Sequence, residues 1–257
     1  MRLLRAATIG VVVTLVAAVS YVAVGALRDR AETNRTTERF DPPVWAGQNV
    51  PGPCASGGFY ARDGEKIVLT IAAHCLEAIP GTALRDSEGR LVGTFGRPAA
   101  IADCPKGRLC LAADILGLEL PPDRIPWGHL NLVDMGAGGY RTLGEDTRPL
   151  TCADIHKGDR IEVDGRERYR TGTVIEIGRY EHPVDAIFPC MVVTDVEGGS
   201  GDSGSAVLID GQPAGTTSRV IGRYLAFTPL AEGLANLGLE LCTAPDCDLS
   251  PTAAPEN

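Results

Sequence analysis

Aromatic residues, lysines and basic charge are all scarce in this chain of 257 residues. Aromatic side chains make up 5% of the sequence, and lysine occurs only at Lys66, Lys106 and Lys157. The formal net charge is -9, which argues against a nucleic-acid-binding protein, because such proteins usually carry a basic surface. The chain has no Cys-x-x-Cys pair, and no paired spacing of His and Cys supports a zinc site. The sequence therefore implies no metal and no organic cofactor.

The composition is otherwise that of a globular protein, with 44% hydrophobic and 22% charged residues, and the length is enough for a sizeable core. Short apolar runs alternate with Gly, Pro and Asp turn signals, which is typical of an all-β barrel or sandwich. One helix is predicted over 230–239. The strand candidates are 58–61, 66–71, 91–95, 114–120, 173–177, 191–196, 206–209, 214–218 and 224–227.

The N-terminus carries Met1-Arg2-Leu3-Leu4-Arg5 and then an uncharged run over 6–27. About 22 residues reach across a bilayer as a helix, which favours a retained membrane anchor. The small residues Val24-Gly25-Ala26 favour the alternative, a cleaved signal peptide. Both interpretations place everything after Arg28 outside the cytoplasm. A polar linker over 28–49 and an Ala-, Pro- and Asp-rich tail over 243–257 flank the rest.

A tetrapeptide, Gly201-Asp202-Ser203-Gly204, has the chemistry of a serine nucleophile on a tight turn. A catalytic serine needs an imidazole to take its proton and amide donors aimed at the resulting oxyanion. Alone, the tetrapeptide is also ordinary turn chemistry. The catalytic interpretation gains weight from Thr70-Ile71-Ala72-Ala73-His74-Cys75 far upstream, where an apolar strand delivers a histidine followed by a cysteine.

The two stretches together resemble the trypsin/chymotrypsin-fold serine proteases, and in particular the secreted bacterial streptogrisin type. Cys54-Ala55-Ser56-Gly57-Gly58-Phe59-Tyr60, and the passage from strand to helix over 226–234, are similar to the same group. The likeness covers roughly 50–241, so a protease domain is expected over 50–242. It implies two six-stranded antiparallel β-barrels, with the active site between them and a C-terminal helix.

The resemblance implies a catalytic triad of Ser203, His74 and an aspartate. Asp114, which opens an apolar run, is the best candidate, and Asp103 and Asp123 are the alternatives.

The amides of Gly201 and Ser203 are expected to bind the oxyanion. Asp202 resembles the family aspartate whose ion pair holds this loop open. Because the sequence has no Ile-Val-Gly-Gly start, an internal arginine or lysine has to be its partner.

The substrate pocket is where the sequence departs most from the family. Glu197 stands six residues before the nucleophile, where a carboxylate at the pocket floor would favour Arg or Lys before the scissile bond. The expected pocket wall is Ser218, Arg219 and Val220, in which Val220 narrows the entrance and Arg219 is able to neutralise Glu197. Basic and small aliphatic residues are therefore both open as the preferred residue.

All eight cysteines follow the apolar N-terminal run, and an even number in an exported chain indicates disulfides. Cys54 with Cys75 resembles the family bridge beside the catalytic histidine. Cys104 with Cys110, and Cys242 with Cys247, would close short loops, which leaves Cys152 with Cys190.

The sequence thus predicts an exported serine endopeptidase that acts on protein or peptide substrates through an acyl-enzyme. It is secreted, or held at the membrane by the N-terminal helix if that helix is not cleaved. The alternative is a catalytically silent protease-fold module for binding or adhesion at the cell surface. The sequence does not indicate an oligomeric state.

Overall fold

The computed structural model describes residues 43–48, 50, 56–75, 79–106, 108–165, 168–182, 186–243 and 247. These residues form β-strands joined by short turns, together with one α-helix. The first seven strands are β1 Tyr60–Asp63, β2 Lys66–Ile71, β3 Ala83–Arg85, β4 Leu91–Ala100, β5 Leu109–Glu119, β6 Leu132–Asp134 and β7 Tyr140–Thr142. The remaining elements are β8 Arg160–Asp164, β9 Tyr169–Glu181, β10 Ala186–Glu197, β11 Ala206–Ile209, β12 Gln212–Ile221, β13 Tyr224–Pro229, α1 Leu230–Leu237 and β14 Glu240–Leu241.

The C-terminal half forms a closed barrel of six strands. Its strands pair in the cyclic order β8, β9, β10, β13, β12 and β11, and β11 pairs with β8 again. Alternate residues of these strands point inward and build an apolar core that includes Val163, Val192, Val207 and Phe227. Closure removes the exposed edges that an open sheet would present.

The N-terminal half also uses six strands, in the order β3, β4, β5, β2, β1 and β14. Tyr60, Leu69, Phe95 and Leu118 lie in the core that these strands surround. Within the described residues the sheet stays open, because its edge strands, β3 and β14, are three and two residues long and do not pair with each other. The prediction of two six-stranded barrels is therefore confirmed for the C-terminal half, whereas the described residues of the N-terminal half form an open six-stranded sheet.

The two halves are joined by pairing and by packing. The start of β5 runs parallel to β10, with Leu109 opposite Ala186, an exception to the expected antiparallel order. A separate apolar cluster contains Ile115 from β5, Leu208 from β11 and Leu230 from α1. The helix was expected over 230–239 but ends at Leu237, because Gly238 takes a left-handed conformation with φ of +72° that terminates the helix.

The expected N-terminal apolar segment over 1–27 lies outside the described residues, as does most of the tail over 243–257. Among the helices that are described, none has the length and apolar character needed to span a membrane. Part of the expected linker is described and belongs to the fold: Val44 and Ala46 are buried in the N-terminal core, and the Val44 amide donates to the Arg124 carbonyl. The described part of the fold thus includes residues that precede 50.

Candidate active site

Strand pairing brings His74 and Asp114 together. Strand β2 runs antiparallel to β5, with Ile71 opposite Leu116. Beyond Ile71 the chain leaves the strand through a short 3-10 turn over Ala73–Cys75. Continuing the antiparallel register places the residues of this turn beside Asp114. The sequence predicts a strand that begins at Asp114. In the structure, Asp114 lies inside β5, which begins five residues earlier at Leu109.

His74 makes two contacts with the Asp114 carboxylate. Its Nδ1 lies 2.5 Å from Asp114 Oδ2, and its backbone amide donates to Oδ1 at 2.9 Å. The Ser218 hydroxyl donates to Oδ2, and the Asp114 amide donates to the Thr228 hydroxyl. Asp114 is fully buried, whereas the His74 side chain is one-third exposed. The two alternative aspartates, Asp103 and Asp123, are exposed on the surface.

The electrostatic environment keeps Asp114 ionised. Burial by itself raises the pKa of a carboxyl group, because it penalises the charged form. The hydrogen bond and charge of His74, together with the hydrogen bond from Ser218, outweigh burial and hold the Asp114 pKa below its usual range. A buried carboxylate of this kind fixes the tautomer of the imidazole and stabilises its cation.

Ser203 completes the row of contacts from the other half of the molecule. Its Oγ lies 3.1 Å from His74 Nε2, within hydrogen-bond distance. The loop that carries it needs glycine at Gly204, where φ is +89° and a Cβ would lie 2.2 Å from the Ser56 carbonyl oxygen. The chain therefore turns tightly and presents the hydroxyl at the histidine.

The amides of Gly201 and Ser203 are available at this turn. Gly201 has φ of +90°, and its carbonyl accepts a hydrogen bond from the Ser56 hydroxyl. Within the described part of the chain, neither amide donates to a protein acceptor. Two unpaired amides next to a serine hydroxyl are the donors that a developing oxyanion requires.

An internal arginine lies against Asp202, as the sequence required. Arg170 Nη2 is 2.8 Å from Asp202 Oδ1, and both side chains are largely buried. The contact is an ion pair without an aligned hydrogen bond from this nitrogen. The other carboxylate oxygen accepts from the Gly199 amide at 2.8 Å. Gly165 permits this approach, since a Cβ there would lie 1.9 Å from Asp202 Oδ1.

A pocket of about 450 Å³ opens beside His74 and Ser203. Its walls are the 198–200 segment on one side and β12 with Leu225 on the other. Val220 faces Gly198 so closely that a Cβ on this glycine would meet Val220 Cγ2 at 2.7 Å. The pocket is therefore narrow and partly apolar.

Glu197 lies outside this pocket, in contrast to the expectation that its carboxylate forms the floor. Its side chain is 65% exposed and its Oε1 lies 3.7 Å from Arg223 Nη1. It lines a neighbouring hollow together with Arg168 and Arg170. Arg219 does not neutralise it, because the Arg219 guanidinium stacks on the rings of Phe188 and Tyr180.

Solved structures of bacterial serine proteases share this architecture. Protease A of Thermobifida fusca is 22% identical, with 78% of this chain and 99% of that chain covered and a TM-score of 0.59. The protease of Nocardiopsis is 22% identical, with coverages of 78% and 100% and a TM-score of 0.58. The chymotrypsin of Cellulomonas bogoriensis is 20% identical, with coverages of 78% and 99% and a TM-score of 0.56.

The chain has the chymotrypsin-like fold. At these identities the likeness establishes the fold alone, and no protein-family model and no curated protein matches the sequence. Within this chymotrypsin-like fold, His74 and Asp114 come from the N-terminal sheet and Ser203 from the loop before β11. The described residues contain no group of three or more His, Cys, Asp or Glu side chains arranged to hold a metal.

Three expected disulfides are confirmed in the chymotrypsin-like fold: Cys104–Cys110, Cys152–Cys190 and Cys242–Cys247. The expected pairing of Cys54 with Cys75 lies outside the described residues, because Cys54 is not among them. Arg170 could not be identified from the sequence as the partner of Asp202, because no local motif distinguishes it from the other arginines.

Proposed function

We propose that the chain is an exported serine endopeptidase that hydrolyses peptide bonds through an acyl-enzyme. Ser203 Oγ attacks the scissile carbonyl while His74 Nε2 takes the hydroxyl proton. The amine product leaves with that proton from His74. Water then attacks the acyl carbon and gives a proton to His74. His74 passes this proton to Ser203 Oγ as the ester bond breaks, which releases the acid product and the free serine.

The observation that carries this proposal is the unbroken row of contacts from Ser218 through Asp114 and His74 to Ser203. A serine within hydrogen-bond distance of an imidazole, which is oriented in turn by a buried carboxylate, is the arrangement that activates a hydroxyl. Asp114 orients and stabilises the imidazole, and Ser218 fixes the position of the carboxylate.

The oxyanion that forms during attack is held by the amides of Gly201 and Ser203. Their availability within the described residues supports this role. The Arg170–Asp202 ion pair supports it further, because it ties the residue between these two amides to the barrel. No proteolytically created N-terminus is then needed to order the loop.

The protease domain extends over 50–242, and the preceding residues 43–48 pack onto it. The three disulfides support an oxidising compartment outside the cytoplasm. The narrow pocket beside Val220 supports a small aliphatic residue before the scissile bond. Export depends on the N-terminal segment, whether it is cleaved as a signal peptide or retained as an anchor.

The test is labelling by a fluorophosphonate, read by intact mass, on chain produced under oxidising conditions. The parent protein and Ser200→Ala should each gain one adduct, and Ser203→Ala should gain none. Ser200 is the matched control because it lies on the same loop and lines the same pocket. A folded, disulfide-bonded parent that stays unlabelled would refute the proposal and favour the silent binding module.

A further inference from the structure

Arg219 is a cation in the cleft with no anionic partner among the described residues. Its guanidinium carbon lies 4.8 Å from the ring centroid of Phe188 and 5.5 Å from that of Tyr180. Its Nε is buried and makes no hydrogen bond. Stacking on two rings fixes the plane of the guanidinium but does not replace the lost hydrogen bonds to water. A carboxylate bound at the terminal nitrogens would supply the anionic partner that the guanidinium lacks.

The aromatic pair lies on the histidine side of the cleft. Phe188 and Tyr180 belong to an apolar cluster against which Ala73, the neighbour of His74, also packs. The part of the pocket that takes the residue before the scissile bond lies between Gly198 and Val220. Arg219 also lines this pocket, but its guanidinium is directed toward Phe188 and Tyr180, whereas Val220 is directed toward Gly198.

Strand β12 offers an open edge at this point. Thr217 is paired with the nucleophile loop through the Gly204 amide and the Ser205 carbonyl, and β13 covers the opposite edge of the strand. Beyond Thr217, no described strand pairs with Ser218–Val220 on the side away from β13. A substrate in extended conformation can add to such an edge as a further strand.

Alternation along that added strand decides which substrate side chains face Arg219. We count substrate residues toward the N-terminus, with the first being the residue whose carbonyl Ser203 attacks. If the first side chain enters the pocket beside Val220, the second and fourth point to the opposite face, where Arg219 lies. The third points to the same face as the first.

We propose that Arg219 selects substrates with Asp or Glu at the second or fourth position. This inference rests on the proposed endopeptidase activity and specifies its substrate class. The planar guanidinium is held over the rings of Phe188 and Tyr180, so it binds a carboxylate with little further ordering. Selectivity at the first position stays with the apolar pocket.

The test uses internally quenched peptides with Ala at the first position and either Glu or Gln at the second, third or fourth. The parent protein should cleave a peptide with Glu at the second or fourth position about tenfold faster in kcat/KM than its Gln counterpart, as expected for one charge-assisted contact. Glu at the third position should give no preference. The preference should shrink in high salt, because the site is only partly buried.

Two variants assign the effect to Arg219. Arg219→Gln should bring the ratio of kcat/KM between Glu and Gln peptides to about one, and Arg219→Glu should prefer Lys at the same position. Arg223→Gln is the matched control, because Arg223 stacks on Tyr224 at the rim and pairs with Glu197. It should retain the parent's preference. Thermal unfolding of each variant shows whether it is folded.

A parent that cleaves Gln peptides without any preference for Glu refutes this inference and leaves the endopeptidase proposal intact. The same holds if Arg219→Gln keeps the preference. Fluorophosphonate labelling, measured in parallel, reports failure of the proposed function separately. Binding of the Glu and Gln peptides to Ser203→Ala, followed by fluorescence anisotropy, gives the same comparison without turnover, and equal affinities would also refute the role of Arg219.

Discussion

Replacing Arg170 by Met tests whether the ion pair with Asp202 holds the nucleophile loop in its working shape. The substitution removes the charge and keeps most of the side-chain volume, since both residues carry a long unbranched stem. Asp202 then keeps its Gly199 amide contact but loses its cation. A carboxylate left in a largely buried position will move toward water and carry the amides of Gly201 and Ser203 with it.

The magnitude follows from the burial of the pair. Breaking a buried ion pair by removing one partner costs roughly 3–5 kcal/mol. The side chains of Arg170 and Asp202 are 13% and 9% exposed and the nitrogen is not aimed at the oxygen, so the cost lies at the low end, about 3 kcal/mol. For a domain of this size that is a fall in Tm of about 6–12 °C. Loss of one oxyanion donor lowers kcat by roughly 10²–10³-fold.

The assay combines thermal unfolding with the rate of fluorophosphonate labelling and peptide hydrolysis. Arg168→Met is the matched control, because Arg168 lines the same hollow as Arg170 and makes no side-chain ion pair within the described residues. It should change the Tm by less than about 2 °C. Arg170→Met with parent-like kcat and Tm would show that the pair does not organise the loop.

Three further outcomes are expected. Asp114→Asn should lower kcat by on the order of 10⁴-fold in a hydrolysis assay while the fold is kept, because the imidazole loses its orienting carboxylate. Burial, with the charges of Asp134 and Asp202, raises the pKa of Asp164 to about 6. The folded state therefore favours the protonated carboxyl, and the stability that this form contributes is lost as pH rises through about 6. Asp164→Asn, which stays neutral, should raise the Tm more at pH 8 than at pH 5. Removing the Cys152–Cys190 bridge with two Ala substitutions should lower the unfolding free energy in urea by about 4 kcal/mol, from the entropy of a loop of 38 residues.

The strands that the sequence predicted well are those whose apolar pattern is local and bounded by turn residues. Strands β2 and β11 have the predicted bounds, 66–71 and 206–209. The strand that closes the barrel, β8, was not predicted, although Arg160-Ile161-Glu162-Val163-Asp164 alternates polar and apolar residues. Its three charged residues make the segment polar on average, but in the fold they lie on the outer face, and Ile161 and Val163 face the core.

His74 and Ser203 could be predicted from the sequence, because each lies in a short motif and the two motifs together indicate a catalytic role. The surroundings of Glu197 and Arg219 depend instead on side-chain direction. A register shift between Thr217 and Arg219 alters the alternation along β12, and no composition signal marks it. The spacing of six residues before the nucleophile identifies Glu197 as the candidate, but it does not determine the direction of the Glu197 carboxylate.

The direction of the Glu197 side chain determines whether the substrate side of the cleft carries a negative charge. With Glu197 at the pocket floor, the substrate side of the site would be anionic and would favour a basic residue before the scissile bond. With Glu197 outside and paired to Arg223, Arg219 contributes a positive charge to the described lining of the cleft. Glu197→Gln should consequently leave the preference at the first substrate position unchanged, whereas a pocket floor formed by this carboxylate would require a large change. A profile of cleavage at the first position, measured on parent and variant, therefore decides between the two arrangements.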